Sequence, residues 1–443
     1  MTNIRISNIR VSAQTYASVS ATVRGLPFVR EDQRLWFRFP IESLDKISDG
    51  GEAFLAALLP VAMSLGKHLD VDAPVSKQFL DGCRRIMALY HAWDRRLQRI
   101  RLQAPTIARR YDSANSVGCF FTAGVDSFYS VLKNLEQETD GNRISHLIFI
   151  QGYPNCPLGS DHLFARLYEN MEACALALHR RLLVIATNLK QFTPPAAAGW
   201  DWYAGAHLAA PALCLTPQFR QVIIPSGDTY WSLSPWGSHP LIDPMWSTES
   251  LGFIHDGCEA SRSQKLERYI GQSNLALTHL RVCDYDQTGL RNCGTCEKCV
   301  RTLIGLRVLG LKPSHLFAEL LDLTRLRALD GGNKVIGYYL RDNLELLERH
   351  GSDPELGKAI EHALRPNPFR WASRQFRFVG QEFDRRFLKG RIRSWALAEA
   401  AGKAQDSQLR VSPTRWVLSH LWRSAKPKSR SFRGAEGQDS CLH

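Results

Sequence analysis

The chain has 443 residues, 44% of them hydrophobic and 22% charged, with a formal net charge of +13. That length is enough for two or three domains and a large core, and the proportions are those of a soluble globular protein. No uncharged apolar run reaches the roughly 18 residues that a membrane-spanning helix needs.

Residues 1–112 read as a first, α+β accessory unit. Alternating patterns at 4–11, 17–23 and 35–39 predict strands, with Gly25-Leu26-Pro27 as punctuation. Helical patterns follow at 51–64 and 75–90. The apolar segment 53–65 is short and interrupted by Pro60. The N-terminal MTNIRISNIRVSAQTY has no apolar signal core, so the expectation is a cytoplasmic protein.

A second unit, 113–312, opens with the wholly apolar run 117–121, the mark of a strand buried on both faces. A turn at 122–127 leads into a helix to 136. Then come a strand at 146–151, a helix at 161–180, a strand at 182–186, a helix at 204–215 and a strand at 221–225. This alternation predicts an α/β fold with a doubly wound, mostly parallel sheet. The Gly-, Ser-, Pro- and Trp-rich segment 227–244 reads as a long loop, and long ordered loops are commonly functional. Helical patterning returns at 261–270, 300–309 and 332–350, the last within a helical unit, 313–425. Residues 426–443 read as a disordered tail. From Arg365 onward there are 17 Lys/Arg against 6 Asp/Glu. This basic end is either a solvated face or a contact for nucleic acid, a membrane surface or an acidic partner.

Two clusters carry chemistry. The first is Thr122-Ala123-Gly124-Val125-Asp126-Ser127, between a buried strand and a helix. A turn of small residues points backbone N–H groups into one concavity, and the helix start adds partial positive charge. Thr122 and Ser127 add hydroxyls, and Asp126 can hold the turn or a Mg²⁺. There is no Walker A sequence. The plainer reading is a capped strand–turn–helix. The second is Cys283, Cys293, Cys296 and Cys299, four of eleven cysteines. The remainder are scattered, which argues against a disulfide framework. Four thiolates converging through two C-x2-C steps suit a closed, structural Zn²⁺, with an iron–sulfur cluster as the alternative.

The turn resembles the S-G-G-x-D-S signature of the PP-loop, or N-type ATP pyrophosphatase, superfamily. Gly124, Asp126 and Ser127 match it and Thr122 keeps the hydroxyl. Ala123 departs from a glycine, which is tolerable at negative φ. Turn and cysteine cluster together resemble the 7-cyano-7-deazaguanine synthase family over about residues 113–312, less than half of the chain. The resemblance implies an adenine nucleotide alpha hydrolase-like fold and ATP bound with Mg²⁺. It also implies adenylation of a small-molecule carboxylate with pyrophosphate release, then attack by ammonia or an amine to give an amide or nitrile. The competing expectations are a tRNA-thiolating enzyme, with Trp371, Trp395, Trp416 and Trp422 in the RNA-binding end, a non-catalytic nucleotide-binding module, and a sugar amidotransferase.

Supporting residues are read around these clusters. Ser238 and His239 of the 227–244 loop are candidates for phosphate contact or proton transfer. Asp243 is a candidate for a second metal or substrate contact. Arg262 and Lys265, three apart on one helix face, are expected to offset charge on pyrophosphate. Lys298 and Arg301 read as solvated. Asn188 and His207 are candidates to line the cleft, with burial the alternative for His207. Gly152 and Tyr153, after the second strand, are placed toward adenine by analogy of fold alone.

Overall fold

A computed structural model describes residues 3–365, apart from 31–32, 109–110, 112–114, 195–201, 284–290, 313–314 and 352. Expectations for the basic end from 366 onward, including its tryptophans, lie outside the described residues.

In chain order the first strands are β1 (Ile4–Ala13), β2 (Ala17–Arg24) and β3 (Arg34–Phe39). Burial along β3 alternates, with Leu35, Phe37 and Phe39 inward and Arg34, Trp36 and Arg38 half-buried on the other face. Helix α1 (Glu52–Leu65) is buried along nearly its whole length, and β4 (Leu69–Val71) follows. Next are β5 (Val75–Ser76), α2 (Lys77–Trp93, capped by the Ser76 side chain), β6 (Leu102–Gln103) and β7 (Thr106–Ile107).

The alternating series is β8 (Ser116–Phe120), α3 (Val125–Gln137), β9 (His146–Gln151), α4 (Asp161–Ala177), β10 (Arg181–Thr187), α5 (Ala204–Leu213) and β11 (Phe219–Pro225). All six residues of β9 are buried, as expected for a strand with helices over both faces. Strand β12 (Gly252–Asp256) lies inside the stretch after Ser226, where the sequence patterning showed none. Four helices follow: α6 (Arg262–Lys265), α7 (Asn274–His279), α8 (Glu297–Val308) and α9 (Leu323–Ala328). A π-helical turn, Leu266–Ile270, continues α6. The last two, α10 (Lys334–His350) and α11 (Pro354–Leu364), pack with α8 and α9 around a small core that includes Leu326, Leu340 and Ile360.

Ten strands form one sheet in the order β12-β11-β8-β9-β10-β3-β2-β1-β4-β6, and β5 and β7 pair separately. From β12 to β10 every pairing is parallel. The join from β10 to β3 is antiparallel, as are β3–β2 and β2–β1. The first unit is thus no detached layer, because its strands extend the central sheet. Asn188 secures the seam: it accepts from the Trp36 amide at 2.9 Å and donates to the Arg34 carbonyl at 2.9 Å. That bonding turns it away from the cleft role expected for it.

The chain steps outward from β8 to β9 to β10, then returns across the sheet to place β11 on the other side of β8. The two directions of winding part between β8 and β11. A crevice opens beyond the carboxyl ends of strands at such a switch point.

Candidate functional site

The turn 122–127 sits on this crevice. It leaves the carboxyl end of β8, opposite Ser226 and Gly227, which leave β11. Thr122 is exposed and Gly124 and Asp126 are half-exposed, whereas Ala123, Val125 and Ser127 are buried. Gly124 caps α3 in extended geometry and no side chain closes the helix start. The first-turn N–H groups of a helix have no partner within it. The Ser127 hydroxyl donates to the Gly124 carbonyl at 3.1 Å and accepts from the Thr122 amide at 3.4 Å. It therefore braces the turn from within, where the sequence suggested a free donor. Ala123 has φ +54°, the left-handed region, against the negative φ on which its tolerance was premised. Its carbonyl accepts from the Arg281 amide at 2.8 Å, which pins that conformation.

Arg262 and Lys265 converge on the turn as expected. Ser261 caps α6 in a capping box with Gln264 and fixes where the helix starts. Arg262 donates to Asp126 Oδ2 at 2.9 Å. Lys265 donates to Asp126 Oδ1 at 3.0 Å and to the Ser226 carbonyl at 2.6 Å, bridging the two strand ends. Lys265 is 1% exposed, so its charge depends on these partners. Burial alone would raise the Asp126 carboxyl, but Lys265 and Arg262 hold it down at about 2.

Arg301 corrects an expectation. Instead of lying in solvent it is buried, with its guanidinium 3.8 Å from the Tyr339 ring centroid. Burial and then repulsion from Arg262 lower its pKa. Asp228, three residues past β11, is raised by burial. Three cations, Arg262, Lys265 and Arg301, thus share a partly water-excluded corner with three carboxylates, Asp126, Asp228 and Glu297, the last 3.4 Å from Arg301.

Ser238, His239 and Asp243 are directed elsewhere. Asp243 is fully buried and its Oδ2 accepts from Ser238 Oγ at 2.6 Å and from His255 Nδ1 at 2.7 Å. Burial opposes charge on His255, but its bonds to Asp243 and Cys258 raise the pKa to about 9. His239 accepts the Leu241 amide on Nδ1 and packs 5.0 Å from Trp93. Neither Ser238 nor His239 contacts the turn, and Asp243 is a partner of His255 rather than an open ligand position. The link to the turn runs from His255 to Cys258, whose thiol donates to Ser226 Oγ at 3.2 Å, and so to the residue that Lys265 grips.

Tyr153 also departs from its expected place. Its ring is 5% exposed and stacks on His207, and its hydroxyl donates to the His207 carbonyl, so it offers no platform for a base. Gly152 has φ +111°, and a Cβ there would lie 2.0 Å from the Thr187 carbonyl, so close packing on β10 accounts for it. His207 is fully buried and pushed down to about 3 by burial, the plainer of its two expected readings.

The sulfurs of Cys283, Cys293, Cys296 and Cys299 all lie within 4.8 Å of one another. The Cys293–Cys299 and Cys296–Cys283 separations are 3.8 and 4.0 Å, close to the edge of about 3.8 Å expected for four thiolates around Zn²⁺. The donor set fits a metal. Hydrogen bonding from Cys299 lowers the pKa of the Cys296 thiol. Asn292 ties the cluster together, accepting from the Val282 and Cys283 amides and donating to the Leu280 and Leu316 carbonyls. The cluster is tied to the turn through Arg281, two residues before Cys283, whose amide meets the Ala123 carbonyl.

Comparison of the chain with protein-family models, with curated proteins and with solved structures finds no match. No helix among the described residues is long and apolar enough to cross a membrane.

Sequence reasoning missed Arg301, His255, Ser226 and Asp228. Arg301 carried a signal in its position just past Cys299, on the helix the cluster anchors. His255 carried none, because β12 is short and set in a stretch of loop character.

Proposed function

We propose that the protein is an ATP-dependent enzyme that transfers AMP to a carboxylate oxygen with release of pyrophosphate. Attack by ammonia or an amine on the acyl-adenylate would then form a carbon–nitrogen bond. The observation that carries this reading is the open turn 122–127 at the switch point, with Arg262 and Lys265 clamped on Asp126. Main-chain amides at a helix start bind phosphate oxygens, and adjacent cations take up charge that develops on a departing pyrophosphate. Asp126 also offers a carboxylate edge to a Mg²⁺ accompanying the nucleotide. The cysteine cluster is assigned a closed structural Zn²⁺, which holds Arg281 against the turn and takes no part in the chemistry.

The test is pyrophosphate release across a panel of [¹⁸O]carboxylates, following label into AMP. Label in AMP that depends on one acid supports the reading, and Asp126→Asn should abolish release. Release without label transfer would overturn it. A second reading, nucleotide binding without turnover, draws on the left-handed Ala123 and on a carboxylate already engaged by two cations. Saturable ATP binding with no pyrophosphate from any acid–amine pair would establish that reading instead.

A further inference from the structure

The two faces of the sheet are covered unequally. Helices α1, α2 and α5 share one core on the face that holds Leu35, Phe37 and Ile185. The other face is covered by α3 and α4, which pack on β8 and β9. Where α4 ends its coverage, over β10 and β3, a half-open cavity of about 510 Å³ remains. Its size is within the range of small-molecule sites, typically about 300–1,000 Å³. Its floor is Leu182, Val184 and Ala186 from β10, and Phe164 and Tyr168 of α4 form one wall.

Strand register places two polar side chains across this floor. Ala186 pairs with Gln151 on one side and Arg38 on the other, and residues paired in this way share a face. Two strand spacings, about 10 Å, therefore separate Gln151 from Arg38, with a small alanine between them. Gln151 is only 8% exposed, lines the cavity, and its amide bonds to no other described residue. Arg38 also lines it, with its guanidinium 3.9 Å from the Trp36 ring centroid and 4.5 Å from that of Tyr16. No carboxylate among the described residues pairs with it. Burial lowers its pKa, the mark of a cation lacking a counter-charge. Glu42 and Glu172 are both exposed at the rim, and Glu172 accepts from the Tyr168 hydroxyl.

A cation with no carboxylate partner and an amide with no bond to the described protein flank Ala186 at one end of an apolar floor, in a cavity that Arg180 and Arg181 also line, and together they define a ligand. We propose that this cavity is a second binding site, two strands from the crevice, for a small amphipathic carboxylate. The carboxylate lies on Arg38, the apolar body on Leu182, Val184 and Ala186, and a neutral polar group meets Gln151. The site is independent of the adenylation reading.

The probe is 1-pyrenebutyrate, followed by fluorescence with the full chain, beside its uncharged alcohol. Saturable binding of the acid is expected, undisturbed by saturating ATP. Arg38→Gln should weaken the acid about tenfold and leave the alcohol unchanged. Val184→Trp, which fills the floor, should abolish both. If that variant melts early, Leu182→Trp at the half-buried end of the same floor serves in its place. Acid binding that survives the floor-filling variant, or loses equally with the alcohol in Arg38→Gln, or is displaced by ATP, overturns the proposal.

Discussion

Ala123 occupies a backbone conformation that costs a residue with a Cβ about 1–2 kcal/mol, offset in part by the larger chain entropy that glycine loses on folding. Ala123→Gly is therefore expected to stabilise the protein by up to about 1 kcal/mol, read as a higher urea midpoint with unchanged slope. Asp126 and His255 set opposite pH limits. The Asp126 carboxyl is held at about 2, below its ordinary 3.8, so its contribution is complete above about pH 4 and is lost as pH falls toward 2. His255 is raised from 6.5 to about 9, so its pairing with Asp243 is fully stabilising below about pH 6.5 and fades as pH rises through 9. Thermal melts should fall at both ends. Asp126→Asn should flatten the acid limb and His255→Gln the alkaline limb. An alkaline limb unchanged in His255→Gln would place the titrating group elsewhere.

At the scale of elements, the crevice depends on short pieces held by caps and knots. Helix α6 has four residues, too few to persist without its capping box and the π-helical turn that continues it. Ser261→Ala should cost about 1 kcal/mol and loosen the aim of Arg262 and Lys265. On the proposed function, the expected signature is a larger loss in nucleotide affinity than in stability, measured by calorimetry alongside denaturant melts. The cysteine knot anchors α8 in the same way. Purified protein should carry close to one zinc per chain, and Cys296→Ser should lose it and lower the melting temperature. A brown, iron-rich preparation would refute the zinc assignment.

At the scale of the whole molecule, one sheet runs from β12 to β6 and one core joins α1 and α2 to α5. Removing residues 1–112 would expose the side of that core formed by Ala206, Ala209, Ala210 and Leu213. Calorimetry is expected to show one cooperative transition for the sheet-bearing part, and a fragment beginning at residue 115 should be insoluble or molten. Two well-separated transitions would contradict this coupling.

How much could be read in advance follows from the range of the interactions involved. Burial period and small-residue turns are local properties. Hence β1 to β3, the strand–helix series from β8 to β11 and the four-cysteine knot were all legible along the chain. So was the pairing of Arg262 with Lys265, because a three-residue step fixes a shared helix face. Partnerships were not legible. Ser238 and Asp243 looked like free site groups until His255, from an unforeseen strand, claimed the carboxylate. Arg301 looked solvated until Tyr339 of a later helix covered it. Tyr153 lies at the end of the right strand, but its ring turns into the core. The sequence by itself determined the strand–helix alternation, the small-residue turn after β8 and the clustered thiolates, because each is written within a short span. Tertiary structure alone decided that both halves share a sheet and which charged groups neutralise one another. Those outcomes depend on contacts between residues tens to hundreds of positions apart, where burial and electrostatics, not spacing, select the partner.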